Sequence, residues 1–322
     1  MAHQSVYIAR TLTETAMATL DRSEHELRVG GEAPPSREEL LSQSRGAAGV
    51  VVTLSERIDA EFFDAAGPNL KIVANVAVGF DNIDVNEAKR RGVIVTNTPG
   101  VLDEATADHT FAMILNLCRR VSEADHFVRS GTPWVWSPRM LVGLDISAGA
   151  TLGIIGFGRI GKAVARRAEA FNMRVIAFEA QRTPGDVDGT VSFVGFEDIL
   201  TQSDVISLHL PLLPSTRHII DAAVLARMKP TAYLINAARG GVVDEAALIA
   251  ALNSGTIRGA AIDTFENEPF VNPALLATDN LLLTPHIASA GDRTRDRMCL
   301  LALKNVDEVL AGREPVTQVV LR

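Results

Sequence analysis

A glycine-rich stretch in the middle of the chain has a spacing that suits the binding of phosphate groups. Gly156, Gly158 and Gly161 form a Gly-x-Gly-x-x-Gly motif directly after an apolar strand-like run and directly before a helical pattern. In that context Gly156 permits a tight turn, Gly158 lets the backbone approach a pyrophosphate, and Gly161 lets the helix pack on the strand. The helix N-terminus then offers free N–H groups to the phosphates. The motif predicts a dinucleotide site, and the alternative is a glycine-rich turn without a ligand.

An acidic residue follows the motif at the distance that dinucleotide sites use. The strand-like segment 174–178 ends at Glu179, and an acid about 20 residues beyond the glycines binds the adenosine ribose hydroxyls. A carboxylate there repels the 2′-phosphate that distinguishes NADPH from NADH. Arg182, three residues later, is able to pair with that phosphate, and the alternative is a solvated loop charge. The sequence therefore favours NADH over NADPH.

Composition and charge exclude several classes of protein. The chain has 322 residues, 47% hydrophobic and 22% charged, which is enough apolar material for a core and suggests two domains at about 150 residues each. It carries 31 basic and 39 acidic residues, a formal net charge of −8, without a basic cluster. Because nucleic-acid binding needs lysines and arginines against the phosphates, we expect no nucleic-acid partner.

The cysteines and the apolar runs bear on metal binding and location. Cys118 and Cys299 lie in apolar stretches, which indicates buried free thiols in a reducing compartment and predicts no disulfide and no metal site. The N-terminus lacks a basic start followed by a long apolar run, and no apolar run approaches the length of about 18 residues that a membrane span requires. We therefore expect no membrane contact and a cytoplasmic protein.

The elements that must position these residues alternate between strand and helix patterns. In the first hundred residues, β-branched runs occur at 6–8, 49–53, 71–74 and 93–96, with helical patterns at 13–20, 36–44, 59–66 and 84–91. Ser36 and Glu39 form a capping-box pattern at the start of one helix. This alternation predicts an α/β protein with βαβ units and a mostly parallel sheet.

A second series of the same kind follows one long helical pattern. Residues 103–130 contain no proline or glycine and carry apolar residues at helical spacing, so we expect a single helix there. Strands are expected at 151–155, 174–178, 204–208, 232–235, 260–262 and 281–284, and helices at 159–170, 196–202, 222–228, 245–254 and 293–311.

Six motifs in order give the chain a resemblance that covers nearly its whole length. They occupy residues 75–82, 153–161, 207–211, 236–245, 261–269 and 284–290. With them the chain resembles the D-isomer-specific 2-hydroxyacid dehydrogenases, and most closely their glyoxylate/hydroxypyruvate reductase branch. The resemblance implies two Rossmann-like, doubly wound parallel-sheet domains. A discontinuous substrate domain would comprise residues 1–101 and 291–322, and an NAD-binding domain residues 102–290.

The resemblance also implies which residues reduce a small 2-keto acid. His286 is the expected general acid/base, since histidine exchanges protons near neutral pH. Glu268 would orient the imidazole and favour its charged form. Arg239 offers a planar fork of donors to the substrate carboxylate, and the backbone N–H groups of Val78 and Gly79 would hold the other carboxylate oxygen.

Further expected contacts follow from the matched motifs. Asp263 would accept a hydrogen bond from the nicotinamide carboxamide, and His209 would lie at the edge of the cofactor. The other expected cofactor contacts are Thr106, Gly156, Gly158, Arg159, Ile160, Gly161, Glu179, Leu210, Pro211, Thr216, Ala237 and Ser289.

The resemblance implies a homodimer formed through the cofactor domains. In the reductase branch a tryptophan from one subunit reaches the substrate site of its partner. The segment Trp134-Val-Trp136 resembles that element, with Trp136 the better match, and the alternative is that both tryptophans pack in the core.

Two other functions share this fold. An NAD-sensing regulatory protein of the corepressor type would carry extended tails, and this chain has neither a long tail nor a basic run. A phosphite-oxidising dehydrogenase would carry a lysine in its substrate loop, where this chain has Val78. Both features favour the keto acid reductase.

Overall fold

The computed structural model describes residues 4–320, which form two compact units. One unit comprises the described residues up to Leu102 together with those from Ala290 onward, and the other is Asp103–Ser289. Each unit contains one β-sheet that is mainly or wholly parallel, as the alternating sequence pattern predicts. Among residues 4–320, no helix combines the length and the apolar character needed to cross a membrane.

The first unit begins with a five-stranded parallel sheet. Its strands are β1 (Ser5–Ile8), β2 (Glu26–Val29), β3 (Gly49–Val52), β4 (Ile72–Asn75) and β5 (Ile94–Thr96), and its first helices are α1 (Glu14–Leu20), α2 (Arg37–Ser44), α3 (Ala60–Ala66) and α4 (Val85–Arg90). The strand order is β2-β1-β3-β4-β5, one of the common doubly wound orders. Side-chain caps start three of these helices, because Ser36, Asp59 and Asp84 each accept a hydrogen bond from the backbone N–H three residues on.

Strand β2 was not expected from the sequence. It is an edge strand, and none of its four residues is buried. It therefore lacks the apolar run by which β3 and β4, whose residues are all buried, could be predicted.

The second unit contains the larger sheet. Its elements, in chain order, are α5 (Asp103–Arg119), α6 (Val121–Arg129), β6 (Thr151–Ile155), α7 (Arg159–Ala170), β7 (Arg174–Phe178), β8 (Val187–Asp188), β9 (Val191–Phe193), α8 (Phe196–Gln202), β10 (Val205–Leu208), α9 (Ala222–Leu225), β11 (Tyr233–Asn236), α10 (Glu245–Asn253), β12 (Gly259–Ile262), α11 (Pro273–Leu276) and β13 (Leu281–Leu283). The strand order is β13-β12-β11-β10-β6-β7-β9-β8, and only the β8–β9 pair is antiparallel.

The order of the strands determines where this sheet can bind a ligand. The chain starts at β6, adds β7 on one side, and later returns to add β10 on the other side. In open α/β sheets, ligands bind beyond the carboxyl ends of the strands where the order reverses in this way. In this unit that place is the edge where β6 and β10 end.

The expectation of one helix over residues 103–130 is wrong, because the helix is interrupted at Arg120. The backbone of Arg120 has φ 55°, in the left-handed region, and separates α5 from α6. The side chain of Asn116 accepts a hydrogen bond from the Ser122 N–H and donates one to the Ser122 hydroxyl. These side-chain bonds replace backbone hydrogen bonds of a continuous helix at the break. The spacing of apolar residues does not reveal them, because they involve polar side chains.

The last helix returns the chain to the first unit. Helix α12 (Asp292–Leu310) packs against β3 and β4, and a Cβ atom added to Gly49 would lie 3.1 Å from a methyl group of Val306. Beyond the helix, the Val319 N–H donates to the Val95 carbonyl oxygen, so the final described segment runs beside β5.

Candidate active site

Glycines shape the loop between β6 and α7. Gly156 has φ +94°, and a Cβ atom there would lie 2.6 Å from the His209 carbonyl oxygen, so no other residue fits. A Cβ atom on Gly161 would lie 2.4 Å from the Gly156 carbonyl oxygen, which shows how closely the helix approaches the turn. Around Gly158, by contrast, no atom lies within 4 Å of such a Cβ. The N–H groups at the start of α7 are therefore open to an approaching anion.

Glu179 is tied to this loop. Its Oε2 atom accepts a hydrogen bond from the backbone N–H of Phe157 at 3.0 Å. The carboxylate follows β7, directly beside the turn that follows β6. Together the open face at Gly158 and the carboxylate of Glu179 fit the pyrophosphate and the ribose of a dinucleotide.

The Arg182 side chain contacts two residues of the β8–β9 hairpin. Its guanidinium carbon lies 5.1 Å from the centre of the Phe193 ring, and its Nη2 lies 3.9 Å from Asp188 Oδ2. The same Asp188 oxygen accepts a hydrogen bond from the Lys162 ammonium group at 2.8 Å, which lowers the pKa of Asp188. Two cations near the glycine loop are thus paired with one carboxylate of the hairpin, which the sequence did not predict.

The segment after β10 forms the other side of the reversal point. His209 Nε2 lies 2.9 Å from the Ser207 hydroxyl, and burial lowers the pKa of His209 to about 4, so the imidazole is neutral at physiological pH. The Thr216 hydroxyl donates to the Pro211 carbonyl oxygen at 2.6 Å and accepts from the Leu213 N–H at 2.8 Å. Thr216 thereby closes the loop that carries Leu210 and Pro211.

Three side chains that can act on a carboxylic acid follow three adjacent strands. Arg239 follows β11, Glu268 lies in the loop after β12, and His286 follows β13. His286 Nδ1 lies 2.8 Å from Glu268 Oε2, and both side chains are about three-quarters buried. With Nδ1 directed at the carboxylate, Nε2 is the nitrogen left to exchange a proton with a substrate.

Main-chain groups hold two of these three side chains. The Phe265 N–H donates to Glu268 Oε1 at 2.9 Å, so both carboxylate oxygens of Glu268 have a partner. The Arg239 guanidinium donates to the Ala238 carbonyl oxygen at 2.8 Å, and the Asn236 side chain donates to the Arg239 carbonyl oxygen at 2.9 Å. The anchoring groups come from the ends of buried strands or the turns that follow them.

His286 has an unusual backbone conformation that Asp263 supports. The φ angle of His286 is +54°, a left-handed value that costs a non-glycine residue free energy. The His286 N–H donates to the Asp263 carbonyl oxygen at 2.8 Å. The Asp263 carboxylate accepts from the N–H groups of Ile287 at 2.9 Å and Ala288 at 2.8 Å. These three bonds hold the backbone on both sides of the imidazole.

The Asp263 carboxylate has no exposed surface. It also accepts a hydrogen bond from the Thr284 hydroxyl at 2.6 Å, and His109 Nε2 lies 3.4 Å away. Burial alone would raise the pKa of Asp263, but hydrogen bonds from His109, Thr284 and the two amides hold it below the usual value. The contact with a nicotinamide carboxamide stays a prediction, and support of the His286 loop is a second role that the sequence did not reveal.

Val78 and Gly79 lie in the first unit, in the turn after β4. The Asn97 side chain donates to the Val78 carbonyl oxygen at 2.7 Å, and the Asn75 side chain donates to the Gly79 carbonyl oxygen at 2.8 Å. Because both carbonyl groups are held, the conformation of this turn is determined.

The remaining expected contacts lie at the starts of helices and the ends of strands. Arg159 and Ile160 are the first residues of α7, Ala237 directly follows β11, Ser289 follows His286 by three residues, and Thr106 is buried in α5. Cys118 and Cys299 are buried free thiols, as predicted. Within residues 4–320, no group of three or more His, Cys, Asp or Glu side chains is arranged to hold a metal ion.

The two tryptophans are exposed. Trp134 is 56% exposed and Trp136 is 73% exposed, so the interpretation that they pack in the core is wrong for this chain. Helix α6 has no buried residue, and its Val121 and Val128 are exposed as well. Helix α6 and residues 132–142, here called the α6 arm, therefore present an apolar surface.

Known proteins resemble the chain over nearly its whole length. The family model described as "D-isomer specific 2-hydroxyacid dehydrogenase, NAD binding domain" matches residues 111–288. A glyoxylate reductase from Pyrococcus furiosus is 45% identical over 321 residues, 98% of this chain and 94% of that protein.

Solved structures agree with that match. The TT0316 protein from Thermus thermophilus superimposes with a TM-score of 0.92 at 43% identity, covering 98% of this chain and 100% of that one. An NADPH-dependent glyoxylate/hydroxypyruvate reductase from Sinorhizobium meliloti, solved with NADP and malonate, superimposes with a TM-score of 0.85 at 34% identity, covering 99% and 97%. The chain is therefore an oxidoreductase, and it belongs to the family of D-isomer-specific 2-hydroxyacid dehydrogenases.

Proposed function

We propose that the protein reduces small 2-keto acids, with glyoxylate and hydroxypyruvate as its preferred substrates, to the corresponding 2-hydroxy acids with NADH. The observation that carries this proposal is the His286–Glu268 pair, 2.8 Å apart. Its members follow β13 and β12, and Arg239 follows β11, the strand next to β12. Reduction of a keto acid needs both a proton donor and a cation for the carboxylate. The name glyoxylate reductase of the Pyrococcus furiosus relative supports the substrate class.

The residues of the chain divide the work of the reaction. The nicotinamide, when bound, supplies the hydride to the carbonyl carbon. Arg239 binds the substrate carboxylate through its planar fork of donors. His286 donates a proton from Nε2 to the carbonyl oxygen as negative charge develops there, which leaves a neutral imidazole. Glu268 holds the ring through Nδ1 at 2.8 Å, which leaves Nε2 for the transfer.

A preference for NADH follows from the surroundings of the ribose site. Glu179 is oriented by the Phe157 N–H, and a carboxylate there repels a 2′-phosphate. Arg182 has the Phe193 ring and Asp188 as partners. The Sinorhizobium meliloti relative is NADPH-dependent, so the comparison of NADH with NADPH belongs in the assay of this protein.

A homodimer accounts for the exposed apolar surface of the α6 arm. Exposed valines and two exposed tryptophans on one helix and the loop that follows it are the usual mark of an association site. We propose that two copies of the chain associate through this surface and that Trp136 contributes to the partner's substrate site.

A spectrophotometric assay at about 340 nm, which follows NADH, tests the function. Purified protein is assayed with glyoxylate, hydroxypyruvate, pyruvate and bulkier 2-keto acids, and in the reverse direction with phosphite and NAD. We expect the highest kcat/KM with glyoxylate or hydroxypyruvate, and D-glycerate as the product from hydroxypyruvate. Oxidation of phosphite, or no turnover of any keto acid, would contradict the proposal.

A further inference from the structure

Two glutamates other than Glu268, namely Glu245 and Glu266, link the segment that carries Arg239 to the segment that carries Glu268. The Glu245 backbone N–H donates to Glu266 Oε1 at 3.0 Å, and the Glu266 backbone N–H donates to Glu245 Oε1 at 2.8 Å. Each carboxylate thus binds the main chain of the other residue. We call this reciprocal pair the glutamate clamp.

The two segments also touch through their main chains. A Cβ atom on Gly240 would lie 1.9 Å from the Phe265 carbonyl carbon and 2.4 Å from the Glu266 nitrogen, so only glycine fits. Gly240 directly follows Arg239, and the Phe265 N–H is the group that holds Glu268 Oε1. Gly240 thus packs against the peptide that leaves Phe265, and the N–H of the same residue holds the Glu268 carboxylate beside His286.

The stability of helix α10 does not explain the clamp. Asp244 already caps that helix by accepting from the Ala247 N–H at 3.0 Å. Glu245 is only 7% exposed, and this burial raises the pKa of its carboxyl group. The hydrogen bond from the Glu266 N–H lowers that pKa in part, and the nearby Glu266 carboxylate raises it further. Two carboxylates repel each other, so the two segments are held by the reciprocal main-chain bonds, with His218 Nε2 3.1 Å from Glu266 Oε1.

We propose that Glu245 and Glu266 are positioning residues for the reaction, because their reciprocal bonds hold the Arg239 turn against the loop of Glu268. This inference rests on the proposed reduction of keto acids. Neither glutamate needs to touch the substrate. Loss of the clamp would misplace the cation that binds the carboxylate and the carboxylate that orients His286, and small misplacements of such groups are costly.

Three variants test the clamp. Glu245→Ala removes the acceptor for the Glu266 N–H, and we expect kcat/KM for glyoxylate to fall by about ten- to a hundredfold, with a higher KM for glyoxylate and a lower kcat. Glu245→Gln keeps an acceptor oxygen, and we expect it to stay within about threefold of the wild type. Asp221→Ala is the matched control, because it removes one carboxylate-to-amide bond at the start of α9, and it should retain wild-type activity.

Two further measurements separate positioning from general damage. The affinity for NADH, measured by fluorescence, should fall by a smaller factor than kcat/KM in Glu245→Ala, because the glycine motif and Glu179 lie on other strands. The losses in Glu245→Ala and Glu266→Ala should be non-additive in the double variant, because both remove the same link. If Glu245→Ala does not fold, Glu245→Asp replaces it, since the shortened side chain keeps its charge and loses its reach.

Several outcomes would overturn the inference. Wild-type kcat/KM in Glu245→Ala, or an equal loss in Glu245→Gln and Glu245→Ala, would show that the clamp does not position the site. An absence of keto acid turnover in the wild type would instead refute the proposed function. In that case a crystal structure of Glu245→Ala tests the positioning role separately. An unchanged distance between His286 and Glu268 in that structure would refute it.

Discussion

Two exchanges of Glu179 separate two roles that the structure assigns to one carboxylate. Glu179→Gln removes the charge and keeps an oxygen that accepts from the Phe157 N–H, whereas Glu179→Ala removes both. The first variant therefore reports the repulsion of a 2′-phosphate. The difference between the variants reports how far the bond to Phe157 holds the glycine loop in place.

The size of each effect can be worked out. Two like charges about 4 Å apart repel by about 4 kcal/mol at an effective dielectric constant near 20, and Glu179 is only partly buried, so we expect about a third of that. This is about tenfold in the preference for NADH over NADPH, and Glu179→Gln should lower the ratio by that factor. The lost bond to Phe157, at about 1 kcal/mol, should make Glu179→Ala about fivefold worse with both cofactors.

The assay is kcat/KM for NADH and for NADPH at saturating glyoxylate, on the wild type and both variants. Glu61→Gln serves as the control, because it removes the charge of an exposed carboxylate that pairs with Arg37 in the first unit. An unchanged cofactor ratio in Glu179→Gln would refute the electrostatic reasoning. Equal use of both cofactors by the wild type would show that Arg182 binds the 2′-phosphate in spite of its contacts with the hairpin.

Two other predictions concern acid stability and assembly. The pKa of His209 is about 4 in the folded protein and about 6.5 when unfolded, so the unfolded chain binds more protons between these values and stability falls with falling pH. Between pH 8 and pH 5 the wild type should therefore lose up to about 2 kcal/mol more unfolding free energy than His209→Gln, measured by denaturant titration. The same decrease with pH in both proteins would contradict this. Trp136→Ala should raise KM for small keto acids or broaden acceptance of larger ones, and light scattering of the wild type should report a homodimer. A fully active wild-type monomer at micromolar concentration would be inconsistent with that assembly.

The strands that could be predicted most directly from the sequence are those in which every residue is buried. Strands β3, β4 and β6 consist entirely of buried residues, and their apolar runs stand out from their surroundings. The break at Arg120 and the β8–β9 hairpin could not be predicted in this way. They depend on the side-chain bonds of Asn116 and on a hairpin of two very short strands, and neither produces a periodic pattern.

In the candidate active site, too, local features could be predicted from the sequence, and features that depend on the tertiary fold could not. The glycine motif is local, so its turn and its close packing could be inferred from spacing alone. Arg239, Glu268 and His286 are far apart in the chain, and their roles came from the family resemblance. That Glu268 lies 2.8 Å from His286 depends on the adjacency of β11, β12 and β13, which one sequence does not reveal. The bonds of Asp263 to the amides after His286 have no signature in the sequence at all.

The central claim is that His286 transfers the proton when a keto acid is reduced. The most direct measurement is kcat for NADH oxidation with glyoxylate by the wild type and by His286→Ala, with the affinity for NADH measured in parallel. We predict that kcat falls by about two to four orders of magnitude while NADH binding is retained, because a positioned acid contributes a factor of this size. A His286→Ala variant that binds NADH and keeps wild-type kcat would contradict the assignment.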